Sequence, residues 1–167
     1  MKNFEFTIRP AEIQDAEKIH ELLDEVGAEN IYIMAEPGER TVCQIEELIR
    51  NQVNNRTLLL VADRHGEIIG VVGLTGGIFR KISHVLEMGM AIGREFRGSG
   101  LGSTLLREAV AWARKKGFCR VELGVLTTND QAIALYKKFG FQEEGHRKQR
   151  YRVEGKYVDE LLMSKIL

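Results

Sequence analysis

Cysteine and proline are scarce in this chain of 167 residues, two of each, and tryptophan occurs once. Cys43 and Cys119 lie far apart and outside any C-x-x-C spacing, which excludes a disulfide scaffold or thiolate metal site and leaves both as core or incidental thiols. No stretch approaches the roughly 20 apolar residues of a membrane span. The start, Met1-Lys2-Asn3-Phe4-Glu5-Phe6, has no apolar signal-peptide core, so a cytoplasmic protein is expected. Charge of one sign is missing too: 24 Lys and Arg balance 24 Asp and Glu, and no net field directs the chain to nucleic acid or an anionic membrane. His20, His65, His84 and His146 are scattered without ligand spacing, so no metal centre is expected. Repeats, low-complexity tracts and linkers are absent. The length suits one domain over residues 1–167 with a sizeable core, at 44% hydrophobic and 29% charged.

What is present is a clear succession of elements. Phe4 to Arg9 alternates as a first strand. Pro10 and Asp15 lead into a helix with Ile19, Leu22, Leu23 and Val26 on one face and Gly27 as its stop. Residues 28–40 are irregular, with Ile31-Tyr32-Ile33-Met34 readable as a short extended piece and Pro37-Gly38 as a turn. Thr41 with Gln44 forms a capping box opening a helix that buries Ile45, Leu48, Ile49 and Val53. Leu58 to Asp63 and Ile68 to Thr75 make a hairpin about Arg64-His65-Gly66-Glu67, and Val85 to Ile92 reads as a buried strand. A helix from Leu101 presents Leu105, Leu106, Ala109, Trp112 and Ala113 and ends in Arg114-Lys115-Lys116 before Gly117. A strand from Arg120 to Val125, a helix containing Tyr136 and ended by Gly140, and strands over about 141–152 and 157–167 complete the chain. The order predicts an α/β fold.

The strand Val85 to Ile92 is followed by Arg97-Gly98-Ser99-Gly100-Leu101-Gly102 at a helix start. Without Cβ atoms, such a loop brings backbone N–H groups close around phosphate oxygens, and the unpaired donors of the first helical turn point at the same place. Arg97 would add a cation. A tight turn alone would use the same glycines. A Walker A loop is excluded because Ser103 and Thr104 follow Gly102 with no lysine. A dinucleotide fingerprint needs its third glycine at Ser103 and glycines directly after the strand, whereas Gly93-Arg94-Glu95-Phe96 intervenes. A nicotinamide-dinucleotide oxidoreductase therefore remains only as a weakened alternative.

Arg97-x-x-Gly100-x-Gly102 resembles the pyrophosphate loop of the GNAT superfamily of N-acetyltransferases. Asn129-Asp130-Gln131-Ala132-Ile133-Ala134-Leu135-Tyr136-Lys137-Lys138-Phe139-Gly140-Phe141 is similar to that superfamily's N-x-x-A-I-x-L-Y-x-x-x-G-F signature. The resemblance covers the C-terminal half well and the N-terminal half by element order. It implies a single-domain α/β fold with a central mixed, mostly antiparallel twisted sheet of about seven strands flanked by about four helices. It also implies acetyl-CoA as the cofactor, held by Arg97, Gly98, Ser99, Gly100, Leu101, Gly102 and Ser103, by the backbone of Met90, Ala91 and Ile92, and by Asn129 and Tyr136. A non-catalytic acetyl-CoA-binding module would share these features.

Acetyl transfer from a thioester to an amine needs a neutral amine, a donor for the carbonyl oxygen and a proton for the departing thiolate. A lysine-type amine costs roughly 4.6 kcal/mol to deprotonate at pH 7 and an α-amine about 1 kcal/mol, so the demand for a base depends on the acceptor. Tyr136 is the candidate acid by its place in the signature, although its i, i+3, i+4, i+7 spacing with Ala132, Leu135 and Phe139 also suits a core residue. Asn129 has a plain reading as a helix N-cap. Glu87, polar in an apolar strand, is the candidate base or a paired sheet carboxylate, and Glu122 shares both readings. Some relatives that acetylate protein N-termini carry an acid where this chain has Gly124. Tyr32, Met34 and Glu36 are the candidate acceptor contacts, since long irregular segments in small domains are usually functional. The expected partner is a small-molecule or peptide amine, with a homodimer left open.

Overall fold

The computed structural model describes residues 5–167, and the start of the expected first strand at Phe4 lies outside them. Strand β1 covers Thr7–Pro10, and a one-turn 3-10 helix at Ile13–Asp15 runs into α1, Ala16–Gly27. After the irregular segment come α2 (Val42–Asn51), β2 (Thr57–Arg64), β3 (Glu67–Gly76) and β4 (Val85–Ile92). Then follow α3 (Leu101–Lys115), β5 (Arg120–Leu126), α4 (Asp130–Lys138), β6 (Gln142–Val153) and β7 (Lys156–Ile166).

The strands form one sheet in the order β1-β2-β3-β4-β5-β7-β6, antiparallel throughout except for the β4–β5 pair. A dinucleotide-binding fold needs a parallel sheet doubly wound by helices; this topology overturns the oxidoreductase alternative. Side chains alternate across the strands, so two apolar clusters form, one on each face. Leu86, Met88, Val121, Leu123, Leu161 and Met163 meet α3 and α4 through Leu105, Leu106, Ala109 and Tyr136. Leu59, Val61, Val71 and Ala91 meet α1 and α2 through Ile19, Leu22, Ile45 and Ile49. Burying one Leu or Ile of this kind contributes about 1.5–3 kcal/mol.

Local expectations change or are refined at four places. α1 ends at Gly27 as read, but not through a left-handed glycine: Gly27 is its last helical residue and Ala28 caps in the right-handed region. Glycine is needed there because the returning chain puts the Ala35 carbonyl oxygen 2.5 Å from where a Cβ would stand. Val53 is 80% exposed rather than buried, because α2 stops at Asn51 and the next residues tighten into a 3-10 turn, breaking the register with Ile49. Cys43 and Cys119 are both exposed, which removes the core alternative and leaves them as incidental thiols. Residues 31–34 form no strand; they are bends in a segment folded back over α1.

Candidate active site

Strands β4 and β5 are bonded only over the pairs Val85–Arg120, Leu86–Val121 and Glu87–Glu122. Beyond them β4 continues to Ile92 bonded to β3 alone, and β5 continues to Leu126 bonded to β7 alone. The two strands splay, and beyond Glu87 the β4 edge turns backbone polar groups without a strand partner into the gap, the Ile92 carbonyl excepted, which accepts from Arg97 Nε at 2.9 Å. In a sheet interior those groups would be bonded, so a ligand arm carrying amides is the complement they lack.

At the C-terminal end of that edge, a 3-10 turn at Arg94–Phe96 delivers the chain to the glycine loop. Gly98 and Gly100 take φ of 70° and 93°, the left-handed region, and a Cβ at either would point into open space. Ser99 Oγ donates to the Phe96 carbonyl at 2.5 Å and accepts the Leu101 N–H at 3.4 Å, which pins the loop. The N–H groups of Gly102 and Ser103 are first-turn donors of α3 with no helical carbonyl to meet. The concavity is thus lined by backbone donors at the positive end of a helix, a fit for phosphate oxygens. Gly102 has a different reason for lacking a side chain: its Cβ would press on Ile92 Cδ1 at 3.0 Å and Leu135 Cδ2 at 3.2 Å, so it lets α3 close against β4 and α4. The Arg97 guanidinium is not a free cation, because it is paired with Glu29 and stacked on Tyr32.

Asn129 caps α4 as expected, its Oδ1 accepting the Ala132 N–H at 3.1 Å. Tyr136 is 6% exposed, with its ring 5.6 Å from Phe141. Burial alone pushes its phenol up to about 12, so it keeps its proton across the neutral range. Glu87 sits at the apex of the splay, in register with Thr75 on one side and Glu122 on the other, and is exposed. Glu122 is tied to Arg120 Nε at 3.0 Å, which favours its reading as a sheet carboxylate.

On the α1/α2 side a cavity of about 210 Å³ opens between residues 27–39 and the β6–β7 hairpin. Met34 and Glu36 line it as expected, with Ile33, Leu126, Arg150 and Tyr151, but Tyr32 does not; its ring lies under the Arg97 guanidinium at 3.9 Å. Beside the cavity is a carboxylate the sequence reading did not single out. Glu160, 3% exposed, accepts the Tyr151 hydroxyl at 2.5 Å and Arg147 Nη1 at 2.9 Å, and Tyr151 is itself pushed up to about 12, first by burial and then by that bond. Only the basic run on β6 hinted at this cluster.

A splayed β4–β5 pair, a backbone anion cradle at one end and a buried tyrosine on the following helix define an acyl-CoA-type transferase. The family model for the acetyltransferase (GNAT) family matches residues 23–141, and the chain belongs to that family. It is 32% identical over 111 residues to the L-amino acid N-acetyltransferase AaaT of Escherichia coli, a match spanning 64% of this chain and 67% of that one. It is 29% identical over 160 residues to the spermidine N(1)-acetyltransferase of Vibrio cholerae, spanning 94% and 90%. A GNAT-family acetyltransferase from Streptococcus pneumoniae superimposes with a TM-score of 0.91 at 32% identity, covering 98% of this chain and all of that one (100%).

Proposed function

We propose that this chain transfers the acetyl group of acetyl-CoA to a primary amine of a small molecule or peptide, the amine attacking directly in a ternary complex. The observation that supports this reading is the gap itself, with a backbone donor cradle beyond one end of β4 and a separate cavity bordered by Leu126 at the end of β5. Acetyl-CoA, when bound, supplies the activated acetyl thioester and leaves as the free thiol. The chain's residues do the rest. Backbone donors of the glycine loop hold the phosphates, and the free β4 edge at Met90, Ala91 and Ile92 holds the arm. An N–H of the same edge meets the carbonyl oxygen as negative charge grows on it, a donor already oriented and needing no reorganisation.

Glu87 takes the proton that the amine nitrogen loses as the C–N bond forms. Tyr136 presents its hydroxyl to the sulfur as the C–S bond breaks. Burial raises the phenol to about 12, so full transfer to a less basic alkyl thiolate would be uphill. Tyr136 therefore acts mainly as a hydrogen-bond donor to the sulfur, with the balancing proton arriving through solvent.

The cavity carries Glu36 and Glu39 on one wall and Arg150 and Arg152 on the other. That pairing suits an acceptor bearing an anionic group near its amine, such as an amino acid or a chain terminus. A polyamine would meet Arg147, Lys148, Arg150 and Arg152 along β6. Thiol release from acetyl-CoA across amino acids, N-terminal peptides, aminoglycosides and spermidine tests both statements. Turnover is expected with amino-carboxylates above spermidine; acetyl-CoA binding without thiol release for any amine of the panel would leave a binding module.

A further inference from the structure

We propose that Glu29 and Arg97 form a positioning pair that fixes the wall of the acceptor cavity, leaving the phosphate cradle to backbone donors. The proposal rests on the acceptor reading of that cavity. Arg97 belongs by sequence to the cradle, yet its guanidinium is committed elsewhere. Nη1 donates to Glu29 Oε2 at 2.9 Å and Nη2 to Oε1 at 2.5 Å, a bidentate fork, while Nε donates to the Ile92 carbonyl at 2.9 Å. A guanidinium has an end-on and a side-on fork. Glu29 fills the first and Ile92 takes the Nε donor of the second, so neither fork is free for a phosphate.

Arg97 Cζ lies 3.9 Å from the centre of the Tyr32 ring, adding a cation–π contact. Both partners of the ion pair are largely buried, with side-chain exposures of 15% and 19%. There a charge-assisted fork is stronger than at the open surface, and the Arg97 bond holds the Glu29 carboxyl below the usual carboxylate range.

What this pair restrains is specific. Asn30, Ile33 and Met34 line the cavity, Asn30 directly after Glu29 and Ile33 and Met34 directly after Tyr32. The segment is without helix or strand. Its other ties are short-range turns onto the end of α1, the Glu29 N–H on the Val26 carbonyl at 3.3 Å and the Asn30 N–H on the Gly27 carbonyl at 3.0 Å, the packing of Tyr32 and Ile33 on the α1/α2 core, and, near the far end, the Gly38 N–H on Asp24 Oδ1 at 3.0 Å. Among the described residues, Arg97 is the only distant side chain hydrogen-bonded to residues 28–34. Because Arg97 also holds the Ile92 carbonyl, one side chain joins the free β4 edge to the acceptor wall. The wall is therefore in register with the gap only while the pair is intact.

The test uses E29Q, R97K and Y32L, each compared with wild type by amide hydrogen exchange, calorimetry with acetyl-CoA, and steady-state kinetics with the best amine of the panel. E29Q and R97K are expected to speed exchange across residues 28–34 at least tenfold. E29Q should also raise the acceptor KM about tenfold with kcat within threefold and the acetyl-CoA Kd within twofold. The double variant E29Q/R97K should add little to either single one, and Y32L should fall between them and wild type. Tighter acetyl-CoA binding by E29Q would show that Glu29 was competing with phosphate for Arg97 and would overturn the proposal. Unchanged exchange in both E29Q and R97K would overturn it as well. Exchange needs no acceptor, so wild type that releases no thiol with any amine refutes the acetyl-transfer reading while the exchange result still decides the pair.

Discussion

Glu160 Oε1 lies so directly over the α-carbon of Gly124 that a Cβ at that glycine would stand 2.1 Å from it. Gly124 is two residues beyond Glu122, the last residue of β5 paired to β4, and so borders the gap. The absence of a side chain on β5 gives room for a buried carboxylate delivered from β7. Gly124→Ala is expected to force Glu160 off Tyr151 and Arg147 and to cost about 2–3 kcal/mol, the usual size of overpacking with lost hydrogen bonds. Urea unfolding measures it. The cost should fall by more than half when Glu160→Ala removes the obstructing group, because the two changes share one volume; strict additivity would show that the steric conflict is relieved some other way.

The cradle is best probed at Gly100. Its φ of 93° disfavours any other residue, and nothing of the protein occupies the space a side chain would enter. Gly100→Val should weaken acetyl-CoA binding at least tenfold in calorimetry, with a stability loss of about 1–2 kcal/mol from the left-handed backbone. Gly102→Val should lose more stability instead, since its side chain would meet Ile92 and Leu135.

Tyr136 and Glu87 separate by pH. With the Tyr136 phenol near 12, no alkaline fall in kcat should appear from it below about pH 10. Tyr136→Phe should lower kcat by roughly 10- to 100-fold at every pH, the size of one hydrogen bond to a charged group, and barely move acetyl-CoA affinity. Glu87→Gln should lose most at low pH, where the amine arrives protonated, and recover as pH rises towards the amine's own pKa. A flat deficit between pH 6 and 10 would assign the base role to solvent.

Arg9 spans Asp15 and Asp63, its guanidinium 2.6 Å from one carboxylate and 2.8 Å from the other, and Asp15 is buried. Its hydrogen bonds hold both carboxyls below the usual range. Groups depressed in the folded state contribute stability that is complete above their unfolded value near 4 and is lost as pH falls through the folded values. Arg9→Met should therefore cost roughly 3 kcal/mol at pH 7, and the difference from wild type should narrow at pH 3. Paired urea titrations at the two pH values measure this.

Much of the scaffold was legible locally. The bounds of β4 and the start of α3 follow from apolar periodicity and from glycine, and the His65-Gly66 turn takes φ of 53° and 89°, as a two-residue hairpin requires. The capping box of Thr41 and Gln44 and the cap by Asn129 formed as read. These signals act within a few residues, through hydrogen bonds and dihedral preferences that the chain carries with it. Val53 misled because a helical period was extended past the point where the chain left the helix.

The sequence by itself determined the element order, the glycine cradle and the signature helix with its tyrosine, because each is a local pattern of side-chain size, caps and periodicity. Only the tertiary structure decided the direction of Arg97, which pairs with a glutamate 68 positions away, and the presence of Glu160 over Gly124. A guanidinium or a carboxylate taken from water must find a partner wherever burial brings one within reach. That choice depends on which surfaces the sheet and helices close together, information no neighbouring residue carries.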